Sequence, residues 1–292
     1  MIFLFNLVNH NYVIRLIMKK ISIFYFLLFF GIMFSQTHRF VYELQMKKKN
    51  NAVQKINMVL DIDKEYVHFY DYDFLRNDSL RKKEGGSNWQ TNTRSEQLIL
   101  RKINSFENKS FHDNMFDYFV IDSKDNMNWK IEKDTKKSGD YTLQKAVTNF
   151  GGRDWTAWFC PNVPFQEGPY KFRGLPGLIF EVQDSKGDYS YSLVKSTNLP
   201  STFDTSDFLE THFGHKPVPI TLKQYFKIKL DYYNDPVADM RRMLKDGGTI
   251  IIGGDKITSQ EQLDQKRIFI QNSIKSNYNP IEQDKAIPYP VK

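Results

Sequence analysis

The feature that most restricts this chain is a period-two alternation of apolar and polar side chains, recurring in short runs between turn residues. Phe40, Tyr42, Leu44 and Met46 alternate with Val41, Glu43, Gln45 and Lys47. After Asn50-Asn51, Ile56, Met58, Leu60 and Ile62 alternate with Lys55, Asn57 and Asp61. Such runs put one set of side chains on each face of a strand, so they predict half-buried strands. With the next segment, Tyr66 to Tyr72, they predict a meander. Further expected strands are Gln97–Ile103, Tyr118–Ile121, Met127–Glu132, Tyr141–Phe150, Asp154–Cys160, Leu178–Asp184 and Tyr189–Lys195. Gly151-Gly152 and Ser185-Lys186-Gly187-Asp188 are hairpin signals between neighbours. About ten strands at this spacing predict a mainly β fold: a curved antiparallel sheet, as an open barrel or half-barrel.

The pattern changes near Pro200. Leu222, Tyr225, Phe226, Leu230 and Tyr233 fall at helical spacing. Asp235-Pro236 is expected to be an N-cap and first helical residue for a second helix that stops at Gly247-Gly248. Ser259 to Gln262 has the form of a capping box for a third helix carrying Leu263, Ile270 and Ile274. Each helix is short and amphipathic, which suits covering a sheet. The expected organisation is a β domain over 36–200, a helical extension of it over 201–279, and a tail over 280–292.

The first 35 residues are different. They hold Arg15, Lys19 and Lys20, no acid, and an apolar run from Ile21 to Phe34 after Met18-Lys19-Lys20. That is the form of a secretory signal peptide whose true start is Met18. A retained N-terminal anchor is the alternative, because no A-x-A site precedes Gln36. The 292-residue chain carries a net charge of +7. Without residues 1–35 the balance falls to about +4, and the remaining basic runs, Lys47-Lys48-Lys49, Arg81-Lys82-Lys83 and Lys136-Lys137, sit beside turn residues. A nucleic-acid partner is therefore not expected. The mature chain has no run long enough to span a membrane as a helix. The expected location is periplasmic, outer-membrane-associated or secreted. A single cysteine, Cys160, allows no internal disulfide and reads as a buried thiol, with an intermolecular link as the alternative.

Chemical motifs are few. No phosphate-binding loop, nucleophile elbow or H-E-x-x-H pattern occurs, and the glycine-rich stretch 247–255 reads as a short strand between turns. His212 and His215, three apart with Asp207 and Glu210 nearby, are weak candidates for a metal site, although Pro217 and Pro219 make the segment a loop. Asp61-Ile62-Asp63 and Asp71-Tyr72-Asp73 place acid pairs on strand faces, but no acid/base pair can be nominated. The segment 153–180 is denser. Trp155 and Trp158 point to opposite strand faces, and the outward ring needs cover from a loop or ligand. Three prolines, at 161, 164 and 169, hold the following connection extended. Leu175-Pro176-Gly177 fits a type II turn. Trp155, Trp158, Tyr170, Phe172, Leu175 and Pro176 could form a stapled crossover over the sheet or a binding surface.

Gly174-Leu175-Pro176-Gly177-Leu178-Ile179 resembles the hexapeptide of the GLPGLI family of exported proteins from Bacteroidetes-type bacteria. Thr156-Ala157-Trp158-Phe159, Gly168-Pro169-Tyr170-Lys171-Phe172, Arg39-Phe40-Val41-Tyr42-Glu43, Tyr141 to Ala146 and Tyr232-Tyr233-Asn234-Asp235-Pro236-Val237 look like its accompanying blocks. Leu143 departs from it, since members often have cysteine there. The resemblance implies export and a β-rich body, and no activity, because that family is one of unknown function. The expected function is a non-catalytic binding or envelope-assembly protein for a lipid-like ligand, a peptide or an outer-membrane or envelope protein partner. The alternatives are a secreted metal-dependent hydrolase using His212 and His215, and an accessory to a nutrient-uptake receptor. The sequence identifies no cofactor.

Overall fold

The computed structural model describes residues 37–85, 92–114, 117–252 and 255–290. The expected signal segment lies outside them. Twelve strands form one sheet: β1 (Thr37–Lys47), β2 (Val53–Ile62), β3 (Tyr66–Asp71), β4 (Leu98–Lys102), β5 (Glu107–Asn114), β6 (Asp117–Lys124), β7 (Lys130–Ser138), β8 (Tyr141–Phe150), β9 (Arg153–Cys160), β10 (Leu178–Asp184), β11 (Tyr189–Leu199) and β12 (Val218–Pro219). Their order is β12-β6-β5-β4-β3-β2-β1-β11-β10-β9-β8-β7. The chain thus runs as one meander from the centre to one edge, crosses to the far edge, and meanders back until β11 pairs with β1. All pairings are antiparallel except the short parallel contact of β12 with β6.

That crossing forces the curvature. Ten inter-strand spacings separate β6 from β7, about 48 Å along a flat sheet. The six Cα steps from Lys124 to Lys130 reach at most about 22 Å. The sheet therefore curls so that its far strands approach, without closing.

One face, the inner one, carries the larger core. Tyr42, Leu44, Met58, Leu60 and Phe69 from the first meander meet Trp155, Phe159, Val182 and Tyr191 from the second. The alternation read from β1 and β2 is borne out, and the opposite face is buried as well, over part of its extent. There Val59, Tyr70, Phe111 and Tyr118 pack on α1 (Tyr72–Glu84) through Phe74 and Leu75, and on Leu209.

Helix α1 was not expected. Tyr72 and Asp73, read as the end of a strand, open it, and Arg81-Lys82-Lys83, read as flanking a turn, are its last turn. That charge order suits the helix dipole, with acid at the first turn and base at the last. The helix had no side-chain cap to announce it, because the Asp71 carboxylate instead accepts bonds from Ser95 Oγ, Thr93 Oγ1 and the Arg94 N–H.

The C-terminal helices are α2 (Leu222–Asn234), α3 (Ala238–Lys245) and α4 (Gln260–Asn277). Ser259 and Gln262 form the expected capping box, and Thr221 and Gln224 form another for α2. Helix α3 departs from expectation: it begins after Val237, so Asp235-Pro236 forms the bend before it rather than its cap. The stretch after it contributes β13 (Ile250–Ile252), paired with β14 (Asp255–Ile257). Val237, Ile250, Ile257 and Leu263 make a small core of their own there. Helix α2 and the tail instead pack toward Ile121 of the sheet through Tyr225 and Ile287. No helix among the described residues is long and apolar enough to cross a membrane.

Candidate functional site

The connection from β9 to β10, residues 161–177, folds across the inner face and fills half of the concavity. Phe172 is fully enclosed, its ring 4.6 Å from Trp155 and 6.2 Å from Tyr191 in edge-on contacts. Beneath it, Arg101 of β4 reaches up to Glu167 through Nε at 2.9 Å and Nη2 at 2.5 Å, and Nη1 donates to the Tyr170 carbonyl at 2.7 Å. Arg173 donates to the other Glu167 oxygen at 3.1 Å. A carboxylate buried this deeply is tolerable only because two guanidinium groups and fixed geometry replace its water.

The expected type II turn at Leu175-Pro176-Gly177 is not formed. The Gly177 N–H donates to the Leu175 carbonyl at 2.8 Å, a three-residue turn, while Leu178 N–H donates to Val163. A Cβ on Gly177, whose φ is +155°, would lie 2.1 Å from the Cys160 carbonyl oxygen. The glycine is there so that two backbones can touch. Cys160 itself is a buried free thiol.

The six crossover residues named from sequence separate on this geometry. Trp155, Phe172 and Leu175 are enclosed in the core, and Pro176 is exposed beside it. Trp158 faces the other way, as its odd offset from Trp155 requires, and its cover is Lys136, whose Nζ stands 4.6 Å over the ring while bound to Glu181 at 2.6 Å. Of the six, Tyr170 borders open space within the concavity.

That space is the other half of the concavity, a cavity of about 610 Å³ between β1, β4, β5 and β6 on one side and α2, α4 and the tail on the other. Ile99, Ile121, Leu222, Phe226 and Ile274 supply apolar walls. The tail is a wall rather than a loose end. Arg153, buried against Asp184 at 2.7 Å, also donates to the carbonyls of Ile281 at 3.0 Å and Pro280 at 2.9 Å and to Asn279 Oδ1 at 2.6 Å. Tail residue Glu282 accepts from Tyr170 Oη at 2.5 Å and Lys171 Nζ at 2.7 Å, and pairs with Lys285. Lys171 and Lys285 also reach Asp125 at 3.1 and 3.2 Å. Burial alone would raise the Glu282 and Asp125 carboxyls, but Lys171 and Lys285, joined at Asp125 by the Ser123 hydroxyl, outweigh it and hold both below their usual values.

The floor comes from β5, a strand with no apolar alternation to announce it. Its inner face reads Asn108, Ser110, His112, Asn114. Ser110 stands in register between Ile99 and Ile121. The His112 ring packs 4.5 Å from the Tyr225 ring and lines the cavity. Burial pushes its pKa down to about 4, with Lys229 and Lys171 lowering it further and Glu96 and Glu282 opposing, so the ring is neutral at neutral pH. Ser110 Oγ and His112 Nδ1 are buried with no hydrogen-bond partner among the described residues. Both belong to a strand the sequence pattern did not disclose, since neither residue is apolar.

The histidine pair lies on the opposite face of the sheet. Residues 212–215 form a tight backbone bridge, with N–H to carbonyl bonds of 2.9 Å in both directions. His212 is buried, 2.9 Å from Asn92 Oδ1 and against the Tyr118 ring, whereas His215 is exposed. Asp207 binds Arg81, and Glu210 binds Thr205. Among the described residues no group of three or more His, Cys, Asp or Glu side chains is placed to hold a metal ion.

A family model described as "Protein of unknown function (Porph_ging)" matches residues 150–181, from the turn after β8 through the crossover into β10. No curated protein matches the chain. Two solved structures, described as PNGF-II in the C2 and P21 space groups, are similar to it at 12% identity with TM-scores of 0.48 and 0.49. Each match covers 66% of this chain, and the chain spans about a third of those structures, 32% and 33%.

Proposed function

We propose that this chain is a non-catalytic binding protein of the GLPGLI type that acts outside the cytoplasm and holds a small, largely apolar ligand in the open half of its sheet. The observation that carries this reading is the cavity of about 610 Å³ under α2, α4 and the tail. Its size falls in the range of pockets that enclose drug-sized ligands, about 300–1,000 Å³. Its lining mixes aromatic and aliphatic side chains with polar and charged ones, and the apolar part offers contact to the body of such a ligand. The family match over the crossover fits a chain whose signature segment shapes the concavity. Export rests on the basic and apolar character of residues 1–35.

Ser110 and His112 share no hydrogen bond although they lie on one strand face, so their geometry supplies no activated nucleophile to favour a hydrolase. The test is saturable one-to-one binding of the apolar probe N-phenyl-1-naphthylamine to the full chain. Ser273→Trp, which puts an indole into the cavity from α4, is expected to abolish it. Binding that survives this substitution, or never saturates, would contradict the reading.

A further inference from the structure

Resting on that reading of the cavity, we propose that its ligand is an uncharged amphiphile whose single hydroxyl or amide head is received by Ser110 and His112 on β5. Two observations carry this independently. First, the floor holds the Ser110 hydroxyl and the His112 imidazole, both with buried atoms unpartnered among the described residues. A buried polar atom without a partner is costly, and a head group that both donates and accepts would relieve both at once. A hydroxyl serves as donor to one and acceptor from the other.

Second, most of the charges that line the cavity are already paired, Arg94 with Asp73 at 3.3 Å and Asp122 with Lys109 at 3.2 Å among them. Lys171 and Lys285 are shared between Asp125 and Glu282. Lys229 lies 3.8 Å from Glu96, and its ammonium stands 5.4 Å over the Tyr225 ring. Lys47, the last residue of β1, and Lys48 just after it also line the cavity, four strands along the sheet from β5. An anionic or cationic head at the floor would lose its water and find its counter-ions engaged. The neutral imidazole points the same way. The body of the ligand then lies along Ile99, Ile121 and Phe226.

The experiment compares three probes of one chain length, decanol, decanoate and decyltrimethylammonium, by calorimetric titration of the full chain at pH 7. Decanol is expected to bind at least about tenfold more tightly than either ion, and S110A/H112L to remove most of that preference while leaving N-phenyl-1-naphthylamine binding in place. Ser110→Ala alone, which changes almost no volume, is the check against misfolding and should lose part of the preference. If decanoate binds best, Lys47 and Lys48 set the head position and the proposal fails. Equal binding of all three, or a preference unchanged in S110A/H112L, also overturns it while the cavity reading stands. Binding of none of the probes, N-phenyl-1-naphthylamine included, overturns both.

Discussion

The two halves of the concavity are built from the same sheet and treated oppositely. In one, the crossover lays Phe172 against Trp155 and Tyr191 and locks Glu167 between Arg101 and Arg173. In the other, α2, α4 and the tail bridge over the sheet without filling the space. Buried charge also differs in kind. Glu167 sits inside the filled half, where it fixes the crossover, whereas Glu282 and Asp125 sit at the boundary and fasten the tail. One half is a staple and the other a container.

Substitutions should separate them by size of effect. Glu167→Gln, which leaves two guanidinium groups without their carboxylate, should cost about 3–5 kcal/mol by denaturant unfolding. Phe172→Ala should cost a similar amount, about 3–5 kcal/mol, from lost burial plus the void left behind. Phe226→Ala, of like chemistry in the hollow half, should cost under about 1.5 kcal/mol, because its ring already borders open space. Equal costs for Phe172→Ala and Phe226→Ala would erase the distinction. Glu282→Gln should cost about 1.5–3 kcal/mol and raise hydrogen exchange over residues 281–289 while leaving the crossover protected.

The pH dependence sharpens the same contrast. His112 has a folded-state pKa of about 4 against an ordinary 6.5, so the unfolded chain binds its proton first. Its contribution is complete above about pH 6.5 and is lost as pH falls toward 4. Asp113, whose carboxyl burial raises to about 6 from 3.8, acts in the opposite sense, losing its contribution as pH rises through that window. The difference between the parent and His112→Asn isolates the histidine, and the parent should be the more strongly destabilised on acidification from pH 6.5 to 4. Smallest of all, Lys136→Met should cost about 0.5–1 kcal/mol by uncovering Trp158, and should leave ligand binding unchanged.

Much of the staple was legible in the sequence, and the container was not. Strands such as β1, β2 and β9 announce themselves because apolar residues alternate on a face that packs. The crossover announces itself through prolines, glycines and aromatics whose spacing suits nothing else. A cavity wall has no such need. Strand β5 presents Ser110 and His112 where a packed strand would present Val or Ile, so the pattern that reveals strands is missing where the ligand would lie. The tail reads as an appendage because its anchors, Arg153 and Lys171, are more than a hundred residues away. Helix α1 was hidden for a different reason: Tyr66 to Tyr72 reads as strand up to its first residue, and Asp71 at its N-cap position bonds the loop at 93–95 instead of the helix.

Calorimetric titration with decanol reads whether the hollow half of the concavity holds a ligand. A saturable one-to-one isotherm with a negative heat-capacity change is expected, abolished by Ser273→Trp and retained by Lys136→Met. An isotherm that Ser273→Trp leaves unaltered, or uptake that rises without saturation, would contradict it.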